Sequence, residues 1–126
     1  MPVAFDWESV DILRVKYYGI INGDDAVDAS LRMSSDSRFD DLRGIIIDTL
    51  DITQNIASIE HVESLISLSR TMSKSNPRIR NALVLNHDEN TGALAALYTF
   101  LSEDLVWEVE MFHQLNDARR WVLETT

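Results

Sequence analysis

At 126 residues, with 45% hydrophobic and 25% charged side chains, the chain has the size and composition of one globular domain and is too short for two ordinary ones. The formal net charge of −10 opposes binding to phosphate backbones and to anionic lipid surfaces, so we expect no nucleic-acid partner. The sequence contains no cysteine, no basic and apolar start and no run of eighteen apolar residues, which favours a cytoplasmic protein without stable membrane insertion.

The first half of the chain predicts an antiparallel hairpin, a helix and a buried strand. Residues 12–21 alternate partly and are rich in β-branched and aromatic side chains, as in a strand with one covered face, and residues 3–7 can pair with them at an edge. A turn and N-cap at Asn22 predict a helix over residues 24–35. Residues 44–48 form a short apolar run typical of a strand buried on both faces, which predicts the centre of the sheet.

The second half of the chain continues the alternation of helices and strands. An amphipathic helix is predicted from Ser58 to the residues before Asn76, and the segments after it are a strand over 81–85, a helix from Thr91, a strand over 106–112 and a helix capped by Asn116 or Asp117. Such alternation requires mainly parallel strands with right-handed helical crossovers. We therefore predict a single α/β domain over residues 1–126, with about five strands in a mixed, mostly parallel sheet, an antiparallel N-terminal edge and four helices.

Two short stretches carry a family resemblance. In residues 18–25, a strand that ends in glycine leads to an acidic helix start, and in residues 109–123 a strand ending at Phe112 precedes Ala118, two spacers, Trp121 and an aliphatic residue. These stretches and the order of elements resemble the SpoIIAA-like family of STAS and CRAL-TRIO-like proteins. The resemblance implies a small five-stranded domain of a kind often found in bacterial proteins without an assigned activity.

The resemblance also makes Ser58 a candidate phosphorylation site. Anti-sigma-factor antagonists, the best understood relatives, carry an Asp-Ser-Ser-Gly motif after the central strand, and a partner kinase phosphorylates its first serine. In this chain Ala57 precedes Ser58 and Ile59 follows it, where aspartate and glycine are expected. The N-cap of the second helix is the simpler role for this serine.

The chemistry-bearing residues match no catalytic or metal-binding motif. Asp48 and Asp51 are predicted at or beyond the end of the central strand, where ligands of open α/β sheets bind, although solvation or capping of neighbouring amides is the preferred explanation. His61, His87 and His113 are scattered, and no glycine-rich phosphate loop or nucleophile motif accompanies them. The sequence therefore predicts no metal, no cofactor, no catalytic residue and no enzymatic activity. A catalytic triad whose residues are far apart in the sequence would show no such motif, so the sequence does not exclude one.

The helix predicted around residues 92–101 is apolar around most of its circumference, so more than one of its faces must be buried. The predicted interaction or ligand face consists of Ala95, Ala96, Tyr98 and Thr99. A second copy of the chain or another protein is the first predicted occupant, a small apolar, lipid-like ligand is the second, and packing by Trp107 or Trp121 is the third. The predicted function is a binding or regulatory module that acts through protein contacts as a homodimer, with a carrier or sensor of a small apolar ligand as the alternative.

Overall fold

Five strands and four helices alternate along the chain, as the sequence predicts. The structure is a computed structural model that describes residues 2–124. The strands are β1 (Val3–Ser9), β2 (Ile12–Ile21), β3 (Gly44–Asn55), β4 (Arg80–Val84) and β5 (Glu108–Phe112). The helices are α1 (Gly23–Ser35), α2 (Ile59–Ser75), α3 (Glu89–Leu101) and α4 (Leu115–Leu123), and short 3-10 turns follow α1 and α3.

The strands form one sheet in the order β1-β2-β3-β4-β5. β1 and β2 are an antiparallel hairpin, and every other neighbouring pair is parallel. Ile45 lies opposite Asn81 and Ile47 lies opposite Leu83, so the two apolar runs occupy adjacent parallel strands as predicted. Ile46 between them is fully buried. The predicted mixed sheet with an antiparallel N-terminal edge is therefore confirmed.

Three helices cover one face of the sheet and α4 covers part of the other. The crossovers through α1, α2 and α3 all advance to the next strand in the same direction, and crossovers of one hand then deliver their helices to one face. On that face Ala29 and Met33 of α1 and Met72 of α2 pack against Ile45 and its neighbours. Ile46, one residue along β3, points the other way and packs against Ala118 and Val122 of α4. The core consequently lies on both sides of β3.

Several element boundaries differ from those predicted. β3 continues to Asn55 because the ten-residue β2 keeps pairing with it beyond the end of β4, so that Ile21 lies opposite Asn55. α3 begins two residues early because the Asp88 carboxylate accepts the Thr91 N–H at 2.8 Å and caps the helix there. The N-cap of α4 is Gln114, and the two predicted caps lie inside its first turns.

Candidate functional site

A cavity of about 140 Å³ lies between the sheet and the three helices that cover one face. Residues of β2, β3 and β4 form its floor, and residues of α1, α2 and α3 form its sides. The space exists because small side chains stand where large ones would fill the layer: Ala26 and Ser30 on successive turns of α1 and Ala95 on α3. Most of the remaining wall is aliphatic, with Ile45, Leu83 and their neighbours.

The cavity extends to the carboxyl ends of the parallel strands. Asn22, which follows β2, and Asn55, which ends β3, both line it. Ala57 and His61 from the start of α2 close the same end. Ligands of open α/β sheets bind at the carboxyl ends of the strands, because the loops that follow the strands form a crevice there.

The cavity wall contains one buried polar atom that has no hydrogen-bond partner among the described residues, and it also contains a buried phenol. The Asn81 side chain donates through Nδ2 to the Tyr98 hydroxyl at 3.3 Å, but its Oδ1 atom is buried and accepts no hydrogen bond from the described residues. The Tyr98 hydroxyl is also 2.6 Å from Ser69 Oγ. Tyr17 is buried on β2 and lines the same cavity. Burial raises the pKa of Tyr17, and the negative charge of Asp25 adds to this rise.

The start of α2 is held against the start of α1 by His61. The Ser58 N–H donates to His61 Nδ1 at 3.2 Å, Ser58 Oγ lies 2.8 Å from the same nitrogen, and His61 Nε2 lies 3.4 Å from Asp24 Oδ1. A Cβ atom on Gly23 would lie 1.8 Å from the His61 ring, so a glycine is needed where the two helices meet.

No family model matches the chain, and no curated protein sequence matches it. A solved structure does: an uncharacterized protein from the DUF3478 family with a SpoIIAA-like fold, from Shewanella loihica PV-4. It is 14% identical in sequence, the alignment covers 95% of this chain and 91% of that one, and the TM-score is 0.57. This chain has a SpoIIAA-like fold. The resemblance predicted from its sequence is confirmed at the level of the fold.

Ser58 is the N-cap residue of α2 in the SpoIIAA-like domain, as predicted. Its contacts with His61 and Asp24 have the order of a serine–histidine–aspartate triad, but the Asp24 side chain is 86% exposed. Hydrogen bonds from its own N–H and from the Ser58 hydroxyl lower the pKa of Glu60. Because Asp24 is exposed and Ser58 and His61 contact each other at the start of α2, the cluster is explained as a helix cap. Phosphorylation of Ser58 stays a prediction.

Asp48 and Asp51 both lie within β3 rather than beyond its end, and neither lines the cavity of the SpoIIAA-like domain. Asp48 is 1% exposed, and its Oδ2 atom lies 2.9 Å from both Nε and Nη2 of Arg14. Its Oδ1 atom accepts the Leu50 N–H at 3.0 Å. Asp51 is exposed and pairs with Lys16 at 3.0 Å. Their contacts within the sheet account for both carboxylates.

The four residues predicted as an interaction or ligand face do not share one surface. Ala95 and Tyr98 line the cavity, whereas Ala96 is exposed on the outer side of α3. Thr99 is half-buried, and its hydroxyl donates to the Ala95 carbonyl oxygen at 2.8 Å. The exposed apolar residues of α3 are Ala93, Ala96 and Phe100, and the polar Glu89 and Asn90 are exposed in its first turn.

Packing within the chain covers the inner side of α3. Its leucines pack against Leu83, Leu85 and Val109 of the sheet region. Trp107 lines the cavity beside α3 and donates from Nε1 to the Asn76 carbonyl oxygen at 2.7 Å. Trp121 packs against Phe112 on the opposite face, with a ring-centroid distance of 5.6 Å, so it does not cover α3.

In residues 2–124, no three histidine, aspartate or glutamate side chains come together in a way that would hold a metal ion. No helix in that range has both the length and the apolar character needed to cross a membrane.

Proposed function

We propose that this SpoIIAA-like domain is a non-catalytic binding module that holds one small, largely apolar molecule in the cavity between the sheet and helices α1, α2 and α3. The observation that supports the proposal is the cavity itself, about 140 Å³ in volume and mostly aliphatic in its wall. An engineered protein cavity of about 150 Å³ binds benzene, so the space suits a molecule of about one ring. The role is that of a carrier or sensor of such a molecule.

The energetic cost of the empty space favours an occupant. Protein interiors are packed like organic crystals, and voids larger than a water molecule are few. Atoms that line an apolar space of about 140 Å³ lack part of the dispersion contacts that a filled core would give them. Binding of an apolar molecule is favourable because its atoms restore the missing dispersion contacts.

Two neighbouring alanines of α3 provide the test. Ala95→Leu places a larger side chain into the cavity, whereas Ala96→Leu places the same side chain on the exposed side of the same helix. Titration with toluene, followed by calorimetry and by the shift in melting temperature, should show binding to the wild type and to Ala96→Leu. Ala95→Leu should bind toluene at least about tenfold more weakly, since the leucine occupies the space. Equal affinity of both variants would place the binding elsewhere and contradict the proposal.

A second proposal is that the outer side of α3 makes protein contacts, including contacts between two copies of the chain. It is supported by the exposure of Ala93, Ala96 and Phe100 on one helical stripe, where Phe100 is 65% exposed. Sedimentation of the wild type and of Phe100→Glu at micromolar concentration tests it. A wild-type dimer that Phe100→Glu dissociates supports this role, and a wild-type monomer contradicts the homodimer.

The cellular setting is also a proposal. The SpoIIAA-like resemblance favours a bacterial protein, the lack of cysteine favours a cytoplasmic one, and the net charge of −10 opposes binding to nucleic acid. In that setting, a regulatory module would report the presence of its small molecule through the outer side of α3.

A further inference from the structure

Asn81, in the wall of the cavity, has a buried polar atom without a hydrogen-bond partner among the described residues. This residue lies on β4, is 5% exposed and lines the cavity. Nδ2 of the side chain bonds to the Tyr98 hydroxyl, whereas Oδ1 has no partner among residues 2–124. Native proteins leave few buried polar atoms unpaired, because such an atom loses its hydrogen bonds to water and gains nothing in return. If the amide were turned by 180°, its nitrogen would be the unpaired atom instead.

Tyr17 presents a second polar group to the same space. It reaches the cavity from β2, on the other side of β3 from Asn81. A phenol is uncharged at neutral pH, and burial raises the pKa of Tyr17 further. An uncharged phenol can both donate and accept a hydrogen bond.

Among the described residues, the cavity wall offers no free charge to a charged ligand, because both ring nitrogens of His61, its one histidine, already contact Ser58 and Asp24. Of the described residues, no lysine, arginine, aspartate or glutamate lines the cavity. A carboxylate or an ammonium group placed there would lose its hydration without gaining an opposite charge, which is strongly unfavourable. The walls therefore select against fatty-acid carboxylates and amines.

We infer that the occupant of this cavity is a neutral, one-ring-sized molecule bearing a hydroxyl group that hydrogen-bonds to the side-chain amide of Asn81. This inference rests on the proposed binding function and names the chemical class of its ligand. A hydroxyl satisfies the Asn81 amide in either orientation, because it donates to Oδ1 or accepts from Nδ2. The Tyr17 hydroxyl provides a second polar contact for a ligand that reaches across β3.

Phenol, toluene and benzoate are the probes that test the inference. Phenol and toluene have nearly the same size and shape and differ by a hydroxyl in place of a methyl group, whereas benzoate carries a negative charge. Calorimetric titration of the wild type should show phenol binding at least about tenfold more tightly than toluene, because only phenol pairs the buried amide. Benzoate should bind most weakly of the three.

The wild-type series separates the two proposals without relying on any variant. If none of the three probes binds, the proposed binding function fails. If toluene binds as tightly as phenol, the cavity binds apolar molecules but the inferred hydroxyl class is wrong. If benzoate binds more tightly than phenol, the inference of a neutral ligand is overturned.

Asn81→Leu tests whether the side-chain amide causes the preference for phenol over toluene, since leucine keeps the branched shape and removes both polar atoms. In this variant, phenol affinity should fall about tenfold and toluene affinity should stay equal or rise. Tyr17→Phe should weaken phenol without weakening toluene if the ligand reaches that hydroxyl. Tyr18→Phe is the matched control, because it deletes the same atom from the exposed neighbouring residue of β2 and should leave both affinities unchanged. An unchanged ratio of the two affinities in Asn81→Leu would contradict the inference.

Discussion

Replacing Arg14 by methionine removes the guanidinium that faces the buried carboxylate of Asp48. Both Nε and Nη2 of Arg14 lie 2.9 Å from Asp48 Oδ2, and Asp48 is almost entirely buried. Deleting one partner of a buried ion pair typically costs about 3–5 kcal/mol, because the remaining charge is left uncompensated away from water. We expect a loss near about 3 kcal/mol, since Asp48 Oδ1 keeps the Leu50 N–H and the Arg14 side chain retains some access to solvent.

Lys16→Met is the matched control on the same strand. Lys16 Nζ lies 3.0 Å from Asp51 Oδ2, but both of these side chains are exposed. Exposed ion pairs contribute about 0.2–1 kcal/mol, so the two substitutions should differ at least about threefold in their effect on the free energy of unfolding. Urea denaturation at pH 7, analysed by linear extrapolation, measures both losses.

A compensating substitution separates charge burial from loss of packing. Asp48→Asn in the Arg14→Met background removes the buried charge, and it should recover part of the lost stability because an amide is cheaper to bury than a carboxylate. Equal losses for Arg14→Met and Lys16→Met would refute the reasoning, as would a double variant that is no more stable than Arg14→Met alone.

Three further substitutions test the core, the contact between helices and the buried tyrosine. Ile46→Ala should cost about 2–5 kcal/mol in urea denaturation, because the side chain is fully buried between β3 and α4, and a loss below about 1 kcal/mol would contradict the core assignment. Gly23→Ala should lower stability by about 1–3 kcal/mol, because its Cβ would collide with the His61 ring, whereas Gly92→Ala, where nothing lies within 4 Å, should be neutral or stabilising; equal effects in thermal melts would count against the collision. The pKa of Tyr17 rises above its ordinary value of 10.0 on folding, so the folded state holds this proton longer and stability should fall as the pH rises above 10, by up to about 1.4 kcal/mol per pH unit. Urea midpoints from pH 9 to 11 should fall less steeply for Tyr17→Phe, and parallel profiles would show that this phenol does not contribute.

The order and type of the elements could be predicted from the sequence because their signals are local. Residues 45–47 and 83–85 are short apolar runs, and the structure makes them adjacent buried strands with α2 as their crossover. Ser58 caps α2 because the first amide groups of a helix lack partners within the helix, and a polar residue just before the helix can bond to them. This effect does not depend on the rest of the chain. The glycine, phenylalanine and tryptophan positions of residues 18–25 and 109–123 pointed to the SpoIIAA-like fold for the same reason.

Only the tertiary structure decided where the site lies, because its determinants are far apart in the chain. The carboxylate of Asp48 follows an apolar run and suggests a strand-end ligand, but Arg14, from a different strand, neutralises it inside the sheet. The apolar surplus of α3 is visible in the sequence, whereas the division between cavity-facing Ala95 and exposed Ala96 depends on how the helix lies on β4. In the sequence, Asn81 is an ordinary residue of a predicted strand. Only the structure shows that its amide oxygen is buried and has no partner among the described residues. Local patterns determine which elements form, and long-range packing determines which polar atoms remain free to bind.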